Sequence, residues 1–124
     1  SKGFLYSIIN EEKIMKPETQ EKINQLQVLE QNLQSFLSQK QQFQTQLAEV
    51  ESASKELKGS KESYKIVGNI MVSVEKKDLE TELSSKKEML ELRLKSVEKQ
   101  ENKIKQQADD LQKEVLAEMQ KNKK

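Results

Sequence analysis

Tyr64-Lys65-Ile66-Val67-Gly68-Asn69-Ile70-Met71-Val72-Ser73-Val74 is the one stretch of this 124-residue chain where β-branched residues cluster and alternate with period two. Tyr64 and Ile66 fall on one face of a strand, and Ile70, Val72 and Val74 share a face of the next. Gly68-Asn69 at the centre is a two-residue signal of the kind that suits primed hairpin turns. The stretch therefore predicts a β-hairpin.

On either side the period changes from two to that of a helix. Upstream, Leu26, Leu29, Leu33, Phe36, Lys40, Phe43, Leu47, Val50, Ser54 and Leu57 follow one another in unbroken steps of three and four, and all but Lys40 and Ser54 are apolar. Gln, Glu, Lys and Ser fill most of the intervening positions, which is the heptad pattern of a coiled-coil strand. Pro17 precedes this run and Gly59 follows it, the usual asymmetry of helix ends. A first helix is expected from about Pro17 to about Lys58. Downstream, Leu83, Leu90, Val97, Ile104 and Leu111 recur every seven residues, with Leu94, Ala108 and Val115 at complementary positions. Asp78 reads as the N-cap of a second helix running from about Leu79 to the C-terminal lysines. At 1.5 Å per residue, each helix would be roughly 60 Å long.

Two helices joined by a hairpin must run antiparallel, so paired seam positions should add to a near-constant number, about 137 here. That register sets Leu47 opposite Leu90, Phe43 opposite Leu94, Leu33 opposite Ile104, Leu29 opposite Ala108 and Leu26 opposite Leu111. It also brings the two seam charges, Lys40 and Glu101, to neighbouring layers, where they could pair or turn out to solvent.

A two-stranded hairpin is marginal alone in water. Here it is the most apolar part of the chain, and the helices it joins cannot wrap it. Its strands must therefore pair with strands of other chains. At the far ends of the helices, Ile23, Val28, Leu116 and Met119 add apolar residues beyond what one seam needs, beside Leu26, Leu29, Leu111 and Val115. Apolar surface with a polar rim marks a binding site for something apolar, and Met adapts to varied partners. Ordinary helix-end packing is the competing account.

Composition narrows the chemistry. There is no His, Cys or Trp, and 22 Lys and Arg balance 21 Asp and Glu. The chain thus lacks an ordinary general base at neutral pH, a thiolate nucleophile, and nitrogen or sulfur ligands for zinc. Asp109-Asp110 and the Glu-rich faces read as solvated helix surface, no phosphate-binding glycine loop is present, and no loop of alternating acids suits calcium. No catalytic residue, metal site or cofactor is expected, and the chain is not read as an enzyme. A net charge of +1 argues against nucleic-acid binding by phosphate neutralisation. No run of some 18 apolar residues suggests a membrane span. The absence of Cys fits a reducing compartment, and a cytoplasmic location is expected. Balanced charge along the helices would leave any selection at their ends to apolar exposure.

The order helix, Tyr64-Lys65-x-x-Gly68-Asn69-Ile70-x-Val72, Asp78-Leu79, helix resembles the β-type subunit of prefoldin, the hexameric co-chaperone of archaea and eukaryotes. The Gln-rich first helix and Arg93-Leu94-Lys95-Ser96-Val97-Glu98-Lys99-Gln100-Glu101 also look like archaeal members. The likeness spans about Glu18 to Lys121. It implies a mainly α fold, a long antiparallel two-helix coiled coil with a single β-hairpin that oligomerises into a β-barrel platform, in a hexamer of two α-type and four β-type subunits. The implied activity is that of an ATP-independent holdase whose coiled-coil tips bind unfolded proteins and pass them to a group II chaperonin. One hairpin favours the β type over the α type, which has two. By position, Tyr64, Ile66, Gly68, Ile70, Val72 and Val74 would form the platform, and Ile23, Leu26, Leu29, Leu111, Val115 and Met119 the client-binding tips. The alternative function is a structural coiled-coil scaffold or tether for one defined partner.

Residues 1–16 lie outside the resemblance, and the remainder, 17–124, forms the expected coiled-coil domain. The first sixteen read either as a native N-terminal extension or as a remnant ahead of a start at Met15. Phe4, Leu5, Tyr6, Ile8 and Ile9 would in the first case enlarge or occlude the tip.

Overall fold

The computed structural model describes Gly3 and residues 15–121. Phe4, Leu5, Tyr6, Ile8 and Ile9 lie outside the described residues, as do the last three of the C-terminal run. Four elements follow in order: helix α1 (Pro17–Lys58), strands β1 (Ser63–Val67) and β2 (Ile70–Val74), and helix α2 (Lys76–Lys121). The two helices and the single hairpin are those expected from periodicity.

α1 begins where Pro fits best, because its missing N–H falls among first-turn donors that have no helical acceptor. Beyond Lys58, the N–H groups of Gly59 and Ser60 donate to the carbonyls of Glu56 and Leu57 at 3.3 and 3.2 Å, tightening the last turn. The Lys76 ammonium donates to the Lys58 carbonyl at 3.2 Å, placing a cation at the negative end of the helix dipole.

α2 starts at Lys76, three residues earlier than Leu79, and Asp78 is not its cap. The Glu75 carbonyl already accepts the N–H of Leu79 at 3.1 Å, so Glu75 occupies the capping position and Asp78 lies in the first turn. Lys76 and Lys77 are good helix formers, and nothing between Val74 and Asp78 delays helix entry.

β1 and β2 pair antiparallel, from Ser63 with Val74 to Val67 with Ile70. Gly68 has φ 62°, and no other described residue has positive φ. That is the pattern of a type II′ turn, since type I′ would need Asn69 left-handed as well. At the base, the buried Ser63 hydroxyl donates to the Val74 carbonyl at 2.8 Å.

The chain divides into two compact units. One, the terminal unit, joins the start of α1 through Ser38 to α2 from Glu98. The other, the hairpin unit, is Gln39–Val97. In the hairpin unit Val50, Leu57, Leu90 and Val97 are buried, and Lys87 lies 3.8 Å from Glu51 across the two helices. In the terminal unit the core is Ile23, Leu26 and Val115, with Met15, Ala108, Leu111 and Met119 packed against it. All ten heptad positions of α1 and all eight apolar seam positions of α2 are buried or half-buried. The seam Glu101 is buried, with the Lys105 ammonium 3.8 Å away, and Lys40 is half-buried.

Candidate functional site

Exposed apolar side chains gather at two surfaces, while Leu37, Met89 and Leu92 stand exposed elsewhere on the helices. The first is in the terminal unit. Val28 and Leu29 from α1 and Leu111 from α2 floor an open groove of about 490 Å³. Gln25, Gln107, Asp110 and Glu114 form its rim. These residues meet because positions three and four apart share a helix face, and the antiparallel register sets the face of 25, 28 and 29 beside that of 107, 110, 111 and 114.

Next to this groove a polar clamp ties the helices together. Thr19, only 1% exposed, donates its hydroxyl hydrogen bond to Glu118 at 2.7 Å, and Lys22 pairs with the other oxygen of the same carboxylate. Glu114 lies 3.8 Å from the Lys22 ammonium. The hydrogen bond to Lys22, aided by that to Thr19, holds the Glu118 carboxyl below the usual carboxylate range. The same bond to Glu118, aided by nearby negative charge, raises the Lys22 ammonium above its ordinary value.

The six residues expected to bind a client divide into two groups. Ile23 and Val115 are fully buried and Leu26 is 3% exposed, so these three form the core beneath the surface. Leu29, Leu111 and Met119 are half-buried. The exposed apolar side chains of this unit are instead off the seam: Val28 at 55%, Leu116 at 45% and, farther along α1, Leu37 at 42%. A seam residue packs against the opposite helix first; only its off-seam neighbours remain in solvent.

The second surface is the hairpin. Ile66, Ile70 and Met71 are about two-thirds exposed or more, and Tyr64, Val67 and Val72 are also exposed. The register puts Tyr64, Ile66 and Met71 on one face, and Val67, Ile70, Val72 and the half-buried Val74 on the other. Both faces are thus apolar and open, and among the described residues no other strand pairs with the outer edge of either strand. The Tyr64 hydroxyl donates to the Glu62 carboxylate at 2.7 Å, which raises the phenol above its usual range. Lys65 reaches Glu82 of α2 at 2.6 Å.

Val67 and Met71 belong to this surface although period two alone did not single them out. The turn position identifies them, because a two-residue loop at Gly68-Asn69 sets Val67 beside Ile70 and Ile66 beside Met71. The Thr19 and Glu118 pair was similarly accessible, since their numbers add to the register total that pairs the seam.

Among the described residues, no group of three or more Asp or Glu is placed to hold a metal ion. No described helix is long and apolar enough to cross a membrane.

Comparison with known proteins adds to this geometry. Residues 20–122 match the family model described as prefoldin subunit. The chain is 39% identical over 102 residues to prefoldin subunit beta of Sulfurisphaera tokodaii, covering 80% of this chain and 82% of that one. It is 36% identical to prefoldin subunit beta of Archaeoglobus fulgidus, covering 80% and 88%. The crystal structure of the prefoldin beta subunit from Thermococcus strain KS-1 superposes with a TM-score of 0.78 at 32% identity, covering 82% of this chain and 92% of that one. Heptad helices flanking one hairpin, the family match along nearly the whole chain and these beta-subunit relatives agree: the chain belongs to the prefoldin subunit family and is of the beta type.

Proposed function

We propose that this chain is a subunit of an ATP-independent holdase. Its hairpin pairs with the hairpins of other subunits, including an α-type partner, to build a β-barrel platform for a hexamer of two α-type and four β-type chains. The terminal groove holds apolar stretches of unfolded proteins and delivers them to a group II chaperonin. Residues 17–124 form the working domain, with Met15 already packed against the terminal core.

The observation that carries this proposal is where apolar side chains stay uncovered. Six of them lie on the hairpin, across both faces of an element too small to be stable alone, and the exposed Val28 lines a groove over a filled core. A hairpin with one covered face would need no partner strands; one with two open faces does. Leu29, Leu111, Met119, Val28 and Leu116 supply the client surface, while Ile23, Leu26 and Val115 support it from beneath.

The test uses the chain assembled with an α-type subunit and a client that aggregates on dilution from denaturant. Stoichiometric complex should suppress light scattering without nucleotide. The double variant Val28→Ser/Leu116→Ser should assemble normally and suppress it poorly, because both side chains are exposed and contribute little to folding. A client that aggregates equally fast with and without an intact assembly would leave a scaffold or tether in place of a holdase.

A further inference from the structure

We propose that the terminal groove selects apolar stretches flanked by lysine or arginine, an inference that rests on the groove being the client site. Its apolar floor is bordered by two carboxylates, Asp110 and Glu114, one turn apart on α2, and among the described residues no lysine or arginine lines it. Asp110 accepts a hydrogen bond from the neutral Gln106 amide at 3.0 Å, a partner that brings no positive charge to the rim. The Lys22 ammonium, 3.8 Å from Glu114, makes its closer bond to Glu118 across the clamp. The charge facing an occupant of the groove is therefore negative, although the chain as a whole is nearly neutral.

The other side of the same seam is different. A smaller groove of about 200 Å³ there has Lys105 beside Glu30 and Asp109 in its lining, and Asp109 is already bridged by Lys113 at 3.1 Å. Mixed charge of this kind favours neither sign of partner. Where a carboxylate borders an apolar floor, a cation beside a bound Leu or Ile is attracted and a second carboxylate is repelled. Such attraction weakens as salt screens exposed charges.

The experiment uses the full-length chain and three fluorescent, unstructured peptides with one shared apolar sequence, flanked by Lys, Glu or Gln pairs, with binding read by anisotropy. At about 50 mM KCl the Lys-flanked peptide should bind about five- to tenfold more tightly than the Glu-flanked one, and by about 500 mM the gap should fall below about twofold. The variant Asp110→Asn/Glu114→Gln should bring the Lys- and Glu-flanked peptides to within about twofold of each other, with the helicity of the parent retained by circular dichroism. Equal affinities at low salt, or a preference that survives this variant, would overturn the charge selection. Val28→Ser tests the groove itself and should weaken all three peptides; if none binds, or Val28→Ser alters none, the client site lies elsewhere and the selection falls with it.

Discussion

The hairpin and the terminal unit treat their apolar residues in opposite ways. In the terminal unit α1 and α2 close over Ile23, Leu26 and Val115, leaving a shallow groove and a few side chains in solvent. In the hairpin, two strands of five residues have nothing to close over, and Ile66 and Ile70 stay 71% and 66% exposed on opposite faces. Two long amphipathic helices can satisfy each other; two short strands cannot satisfy two apolar faces. A chain built this way is finished at its helical ends and unfinished at its hairpin.

The largest effect should come from attacking the unfinished part. Ile66→Asp and Ile70→Asp, made separately, place a charge on opposite hairpin faces, and each should reduce the assembly to free subunits by native mass spectrometry, with helicity retained by circular dichroism. If only one does so, a single face is buried between subunits and the hairpin is less open than described. In the terminal unit, Ile23→Ala should cost about 2–4 kcal/mol in chemical denaturation, the usual range for emptying a filled aliphatic site. Val28→Ala, a few residues along the same helix, should stay within about 0.5 kcal/mol, as exposed substitutions do. Equal costs would erase the distinction between core and groove.

Glycine substitutions sharpen the comparison further. Gly68→Ala forces a side chain into a left-handed turn and should cost about 1–2 kcal/mol, read as a lower melting temperature of the assembly. Gly59→Ala should change little, because Gly59 is not left-handed and a Cβ there would meet only the Glu56 carbonyl at 3.9 Å. The smallest effect is that of pH on the clamp. Glu118 is lowered, so its contribution is present above the ordinary carboxylate value and is lost as pH falls through the lowered one. Lys22 is raised, so its contribution is present below the ordinary lysine value and is lost as pH rises through the raised one. The clamp's share of thermal stability should therefore be flat between about pH 5 and 9 and fade at either extreme. The difference in melting temperature between the parent and Glu118→Gln should follow that profile.

Much of the fold was legible because it repeats. Every heptad position read from the sequence is buried or half-buried, although Ile23, set outside the seam, is fully buried as well, and Gly68-Asn69 gave a hairpin register with the same numerical total as the helix pairing. The start of α2 was less legible: Asp78 is a strong capping residue type, yet Glu75 takes that place because the strand ends at Val74 and the helix follows at once. For the proposed client surface, only the neighbourhood was legible. Apolar type marked Ile23, Leu26 and Val115 as client residues, but type does not record whether a side chain faces the opposite helix or the solvent.

Sequence by itself determined the antiparallel pairing, the hairpin and its turn, and the absence of His and Cys. These follow from the order and period of residues, which local geometry converts directly into faces. Tertiary structure alone decided which apolar residues remain uncovered, that Lys22 joins Thr19 and Glu118 in a clamp, and that the groove's lining is acidic in a nearly neutral chain. Burial and local field depend on what packs against each face from the other helix, and in the clamp that neighbour lies 96 to 99 residues away along the chain.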